Sequence, residues 1–180
     1  MPRTSVPAHR IEVRVQELSQ LFNSMDPTPF HHQDLDPDAE EFITGWAQEH
    51  PRDAELEILI HVTGGNPPAD AEALVSEALR NYFDYRATHA QREFRQLMQR
   101  GRRSLIIGLG FLASCLLLAE QIGHASAGTF ATIVRESVII GGWVAMWRPL
   151  EIFLYDWWPL TSRRRMFEQL ARATVRVTTS

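Results

Sequence analysis

The sequence predicts an α+β protein: a small cytoplasmic domain of about three strands and two to three helices, built from both termini, joined to a two-helix transmembrane hairpin. Two long apolar stretches lie in the second half of the chain, and strand-like alternation sits at both ends. Arginine clusters flank the apolar stretches on one side only.

The first apolar stretch is "SLIIGLGFLASCLLLAEQI", residues 104 to 122, whose one charge is Glu120. At about 1.5 Å per residue it is long enough to cross a hydrocarbon core of about 30 Å. The second transmembrane helix is predicted over 131 to 158, with an uninterrupted apolar centre from Val138 to Trp147. Its far end carries Arg148, Glu151, Tyr155, Asp156, Trp157 and Trp158, and aromatic and snorkelling arginine side chains concentrate at headgroup depth. Pro149 is expected to kink this helix and Pro159 to stop it. Arg148 and Glu151, three apart, share a helical face and are expected to pair.

Arg102 and Arg103 precede the first span, Arg163 to Arg165 follow the second, and the turn over 123 to 130 has no arginine. The positive-inside rule therefore puts both termini in the cytoplasm and the turn outside. An antiparallel register follows from pairing Glu120 with Arg135. It sets Gly110 level with Ala145 and Ser114 level with Gly141, so that small residues meet. It also brings Arg102 and Arg103 to the depth of Glu151 and Asp156, where opposite charges are expected to pair.

Residues 1 to 100 are expected to form the cytoplasmic domain, ending in a long helix that leads to the membrane. Arg10 to Gln16 and Glu55 to Val62 alternate with the period of half-buried strands. Asp36 followed by Pro37 marks a helix start over about 37 to 49, and Phe42, Ile43, Trp46 and Ala47 keep helical spacing. Leu74, Val75, Leu79, Phe83, Phe94 and Leu97 outline the long amphipathic helix, with Gly101 as its expected break. Residues 161 to 180 supply a short helix and a strand through Val175 and Val177 that join the N-terminal domain.

The charge pattern separates the two halves. Residues 1 to 100 hold 9 Arg against 17 acids, whereas 101 to 180 hold 9 Arg against 5, and the chain has no lysine. An acidic first half argues against a nucleic-acid reader. The single cysteine, Cys115, excludes an intramolecular disulfide and a cysteine zinc site. Residues 1 to 16 lack the apolar core of a secretory signal.

The densest chemistry is "HHQDLD": His31, His32, Asp34 and Asp36 offer imidazole and carboxylate donors suited to a metal. The competing reading is a proline-stiffened loop, "DPTPF" at 26 to 30, feeding a capped helix. Gly64-Gly65-Asn66 lacks the lysine and spacing of a phosphate loop, and nothing orients a base beside Ser24. No cofactor is expected.

Together "LFNSMDPTPFHHQDLDPDAEEFI" and "GWVAMWRPLEIFLYDWWPLTSRRR" resemble a family of bacterial inner-membrane proteins of uncharacterised activity. The resemblance implies an inner-membrane location and carries over no functional residue. The expectation is thus a non-enzymatic interaction or assembly module whose partners are the lipid bilayer, other membrane or cytoplasmic proteins, and further copies of the chain. Its alternatives are a metal-dependent hydrolase using His31, His32, Asp34 and Asp36, or a subunit of an oligomeric transporter or channel.

Overall fold

The computed structural model describes residues 9–23, 34–51, 53–65, 67–125 and 128–179. His31, His32 and the 26 to 30 loop lie outside them. The chain divides into two compact units, Met1–Ala90 with Ser162–Ser180, and Gln91–Thr161.

The first unit contains three parallel strands in the order β1-β2-β3: β1 (His9–Val15), β2 (Leu56–Val62) and β3 (Thr174–Thr179). Both ends of the chain therefore contribute to one sheet. Ile11 lies level with Ile58 and Val13 with Ile60, while on the other side Ile58 lies level with Val175. Parallel neighbours require crossover connections. The first passes through α1 (Pro37–Glu49); the second takes in every element between β2 and β3, including the apolar helices.

Local chemistry sets α1. The Asp36 carboxylate accepts the Asp38 N–H at 2.9 Å and Pro37 fills the first helical position. Just before it, Phe22 bridges to Leu35, and the Asn23 N–H donates to the Asp34 carbonyl at 2.8 Å. These bonds close the stem of the segment between residues 23 and 34.

Alternation puts Ile11, Val13, Leu56, Ile58, Ile60, Val62 and Val175 on one face of the sheet. They form the core with Ile43 of α1, with Val75, Leu79 and Phe83 of α2 (Ala71–Ala125), and with Phe167 and Leu170 of α5 (Trp157–Leu170). Phe83 and Phe167 stack with centroids 6.2 Å apart. Gln169, buried in the same unit, donates to the carbonyls of Pro51 and Ala54 at 3.1 and 2.8 Å, fixing the segment that leads into β2.

The second unit is helical. Here α2 is followed by α3 (Thr129–Ala145), α4 (Trp147–Glu151), a π-helical turn (Ile152–Asp156) and the start of α5. Two helical stretches, Ala71–Ala125 and Thr129–Leu170, are long and apolar enough to cross a membrane.

Three proline and glycine expectations resolve in physical terms. Gly101 does not break α2; a Cβ there would lie 2.8 Å from Ile152 Cγ2, so the missing side chain admits a neighbouring helix. Pro149 has no N–H to give the carbonyl four residues earlier, which belongs to Ala145, and α3 ends at that residue. Pro159 does not stop the chain's helical course: α5 continues through it, and the wider π turn directly precedes α5.

Candidate interaction surfaces

The face of the sheet opposite the core is polar. Strand phase puts Arg10, Glu12 and Arg14 of β1, Glu57, Leu59 and His61 of β2, and Thr174, Arg176 and Thr178 of β3 on it. Purely parallel sheets usually bury both faces. Here the side chains of Arg10, Glu12 and Arg176 are 52, 48 and 63 % exposed, which leaves this face open to solvent.

Two cross-strand relays order the face. Glu57 receives Arg10 Nε from β1 and Arg176 Nε from β3, each at 3.0 Å, and is itself buried. Farther along, His61 lies 3.9 Å from Glu12 and its Nδ1 is 3.0 Å from the Thr178 hydroxyl. A buried carboxylate flanked by two guanidiniums ties all three strands across a mostly polar surface. Sequence reasoning does not find this relay. The missed signal was strand phase: Arg10, Glu57 and Arg176 all sit opposite their strands' core positions.

A further ionic cluster of this unit joins α1 to α2. The Tyr82 hydroxyl donates to Glu40 Oε2 at 2.6 Å, and Arg86 pairs with Glu40 Oε1. The Arg86 guanidinium also lies 5.3 Å from the Phe167 ring centre. Burial, and then the bond to Glu40, raise the Tyr82 pKa well above the usual tyrosine value. Helix packing accounts for this cluster.

The four metal candidates are not assembled by the described residues. His31 and His32 lie outside them, the Asp36 carboxylate caps α1, and the Asp34 carbonyl serves the loop stem. Among the described residues no three His, Cys, Asp or Glu side chains form a metal-sized group.

In the helical unit, α2 turns Gly101, Leu105, Gly108, Leu112, Cys115, Ala119 and Ile122 inward, a three-and-four spacing maintained over three heptads. Gly142 of α3 sits where a Cβ would come within 2.9 Å of Leu112 Cδ1 and 3.0 Å of the Cys115 Cβ; at Gly108 it would come within 3.1 Å of Met146 Sδ. Gly110 and Gly141, by contrast, meet nothing within 4 Å, and Ser114 is exposed with its hydroxyl bonded to the Gly110 carbonyl at 2.9 Å. The close approach expected of Gly110, Ser114, Gly141 and Ala145 is therefore made chiefly by Gly101, Gly108 and Gly142, with Ala145 half-buried beside Gly108. Reading the seven-residue interval from Gly101 through Gly108 to Cys115 finds this seam directly.

The expected charge pairs are also rearranged. Glu120 lies 3.9 Å from His124 on its own helix, and Arg135 extends beside Gly123 instead of joining Glu120. Glu151 and Asp156 are held by Arg148, at 2.8 and 3.8 Å, and not by Arg102 or Arg103. Local partners three to eight residues away on the same chain segment cost less ordering than long arginines reaching between helices.

The chain matches no protein-family model, no curated protein and no solved structure.

Proposed function

We propose that the chain is a non-enzymatic, membrane-anchored assembly module of the bacterial inner membrane. In this reading α2 and the helical stretch from α3 onward cross the bilayer as a hairpin, with both termini cytoplasmic and residues 123 to 130 outside. The sheet unit is then the cytoplasmic part that meets other proteins or further copies of the chain.

The observation that carries the reading is what surrounds the glycine seam. Ile106, Ile107, Leu117, Ile140 and Val144 are all more than three-fifths exposed. Such a continuous apolar surface is costly in water and is satisfied by lipid. Two hydroxyls along it suit the same solvent: Ser114 and Ser137 bond to carbonyls four residues back at 2.9 and 2.8 Å, so each donor is used within its own helix. Arg102, Arg103 and Arg163 to Arg165 favour the cytoplasmic side for the other end of the hairpin.

Membrane fractionation with a carbonate wash, followed by purification in mild detergent, tests this directly. The protein is expected to stay in the washed membrane and to elute as an oligomer or with a stoichiometric partner. Release by carbonate refutes the anchor, and a lone monomer refutes the assembly role.

A further inference from the structure

We propose that the free edge of β1 is a self-association site, where β1 of a second copy adds antiparallel about a twofold axis at Val13. The inference deepens the assembly reading by naming the partner, and it rests on that reading for its biological purpose.

The two edges of the sheet are treated differently. On β3 the outward Val177 N–H is taken by the Glu72 carboxylate of α2 at 3.3 Å, which blunts that edge. On β1, the His9 N–H and Val15 carbonyl are bonded on the β2 side, to Glu55 and Thr63 respectively. In a parallel strand both backbone groups of a residue point the same way, so those of Arg10, Glu12 and Arg14 point outward. Among the described residues nothing bonds to them. A groove of about 420 Å³ runs along this edge, lined by Glu12, Val13, Arg14 and Phe42.

Charge order selects both the occupant and the register. With Val13 on the axis, Glu12 of each copy lies opposite Arg14 of the other, and Glu12 and Arg14 exchange both backbone bonds. That makes four backbone hydrogen bonds and two opposite-charge pairs from one strand sequence. Shifting the axis to Glu12 sets Glu12 against itself and Arg10 against Arg14, which is repulsive throughout. An axis at Arg14 sets that arginine against itself. Arg14 has no partner among the described residues, whereas Arg10 is already held by Glu57. A twofold perpendicular to the sheet carries both copies of α1 to one face. Phe42 and Trp46, 43 and 45 % exposed, thus gain an apolar neighbour of their own kind.

The test uses the full chain in detergent micelles, with protein mass measured by light scattering across a dilution series. Glu12→Arg and Arg14→Glu each turn both charge pairs repulsive and are expected to weaken the dimer about tenfold or more. Mixing the two single variants restores complementary pairs in the heterodimer, as does the double variant Glu12→Arg/Arg14→Glu in the homodimer. Both are expected to return to within about threefold of the parent. Recovery on mixing also shows that the single variants are folded. Single variants that remain as dimeric as the parent, or variants that fail to recover when combined, overturn the β1 edge as the site while leaving an assembly role intact. A parent chain that is monomeric and partnerless throughout overturns both.

Discussion

At the scale of single residues, the polar groups of the sheet unit work in small shared clusters, and sharing has measurable consequences. Glu57 is buried between Arg10 and Arg176, each of which leaves the other in place when removed. Arg10→Ala and Arg176→Ala are each expected to cost about 1 kcal/mol or less, because both guanidiniums are more than half exposed. The double variant strands a buried carboxylate and should cost about 3 kcal/mol, clearly more than the sum. Chemical denaturation of the four-member cycle measures the excess; simple additivity would contradict the shared-carboxylate account. Tyr82 supplies a pH signature. Its unfolded phenol ionises near pH 10, whereas the buried one beside Glu40 holds its proton to higher pH. Its contribution is therefore complete below about pH 10 and is lost as pH rises towards the folded value. Tyr82→Phe is expected to be less stable at neutral pH by about 1 to 2 kcal/mol and to lose less stability than the parent on going to about pH 11. Parallel pH profiles for the two proteins would exclude the tyrosine as the cause.

Among elements, the helical seam makes the most distinctive forecast. Gly142 faces Leu112 and Cys115 at near-contact, while its neighbour Gly141 faces open space. Gly142→Val should force the helices apart and lower the thermal midpoint in detergent, whereas Gly141→Val should leave it nearly unchanged or raise it slightly. The opposite ranking, read from thermal unfolding followed by circular dichroism, would place the seam on the wrong face. The same pair of residues separates what the sequence specifies locally from what packing decides. Alternation at Ile11, Val13 and Val15, the Asp36-Pro37 start and the apolar runs identify the strands and helices because each depends on neighbours close in sequence. Helix facing does not. One residue shifts a face by about 100°, so a choice between Gly141 and Gly142 turns on long-range packing, for which the heptad interval from Gly101 was the usable clue. The Arg10–Glu57–Arg176 relay was hidden for a related reason, since it appears only once parallel pairing fixes which strands are neighbours. The loss of a stop at Pro159 likewise depends on the π turn before it, which composition alone does not announce.

For the whole molecule, the apolar helices lie within the crossover that joins β2 to β3, so that the sheet is completed only by chain on their far side; under the proposed function these helices are the hairpin anchor. In the proposed topology that arrangement would couple membrane insertion to folding of the sheet unit: both ends of the anchor would have to return to the same compartment for β3 to reach β2. It also gives the arginine asymmetry a structural purpose, because Arg102, Arg103 and Arg163 to Arg165 flank the two ends that need to stay together. The measurement that tests this most directly is cysteine labelling of intact cells with a membrane-impermeant maleimide, in a Cys115→Ala background. Ser126→Cys is expected to be labelled from outside, while Ser5→Cys and Ser180→Cys should be labelled only after the membrane is opened. Labelling of Ser5→Cys or Ser180→Cys in intact cells, with Ser126→Cys protected, would contradict the account.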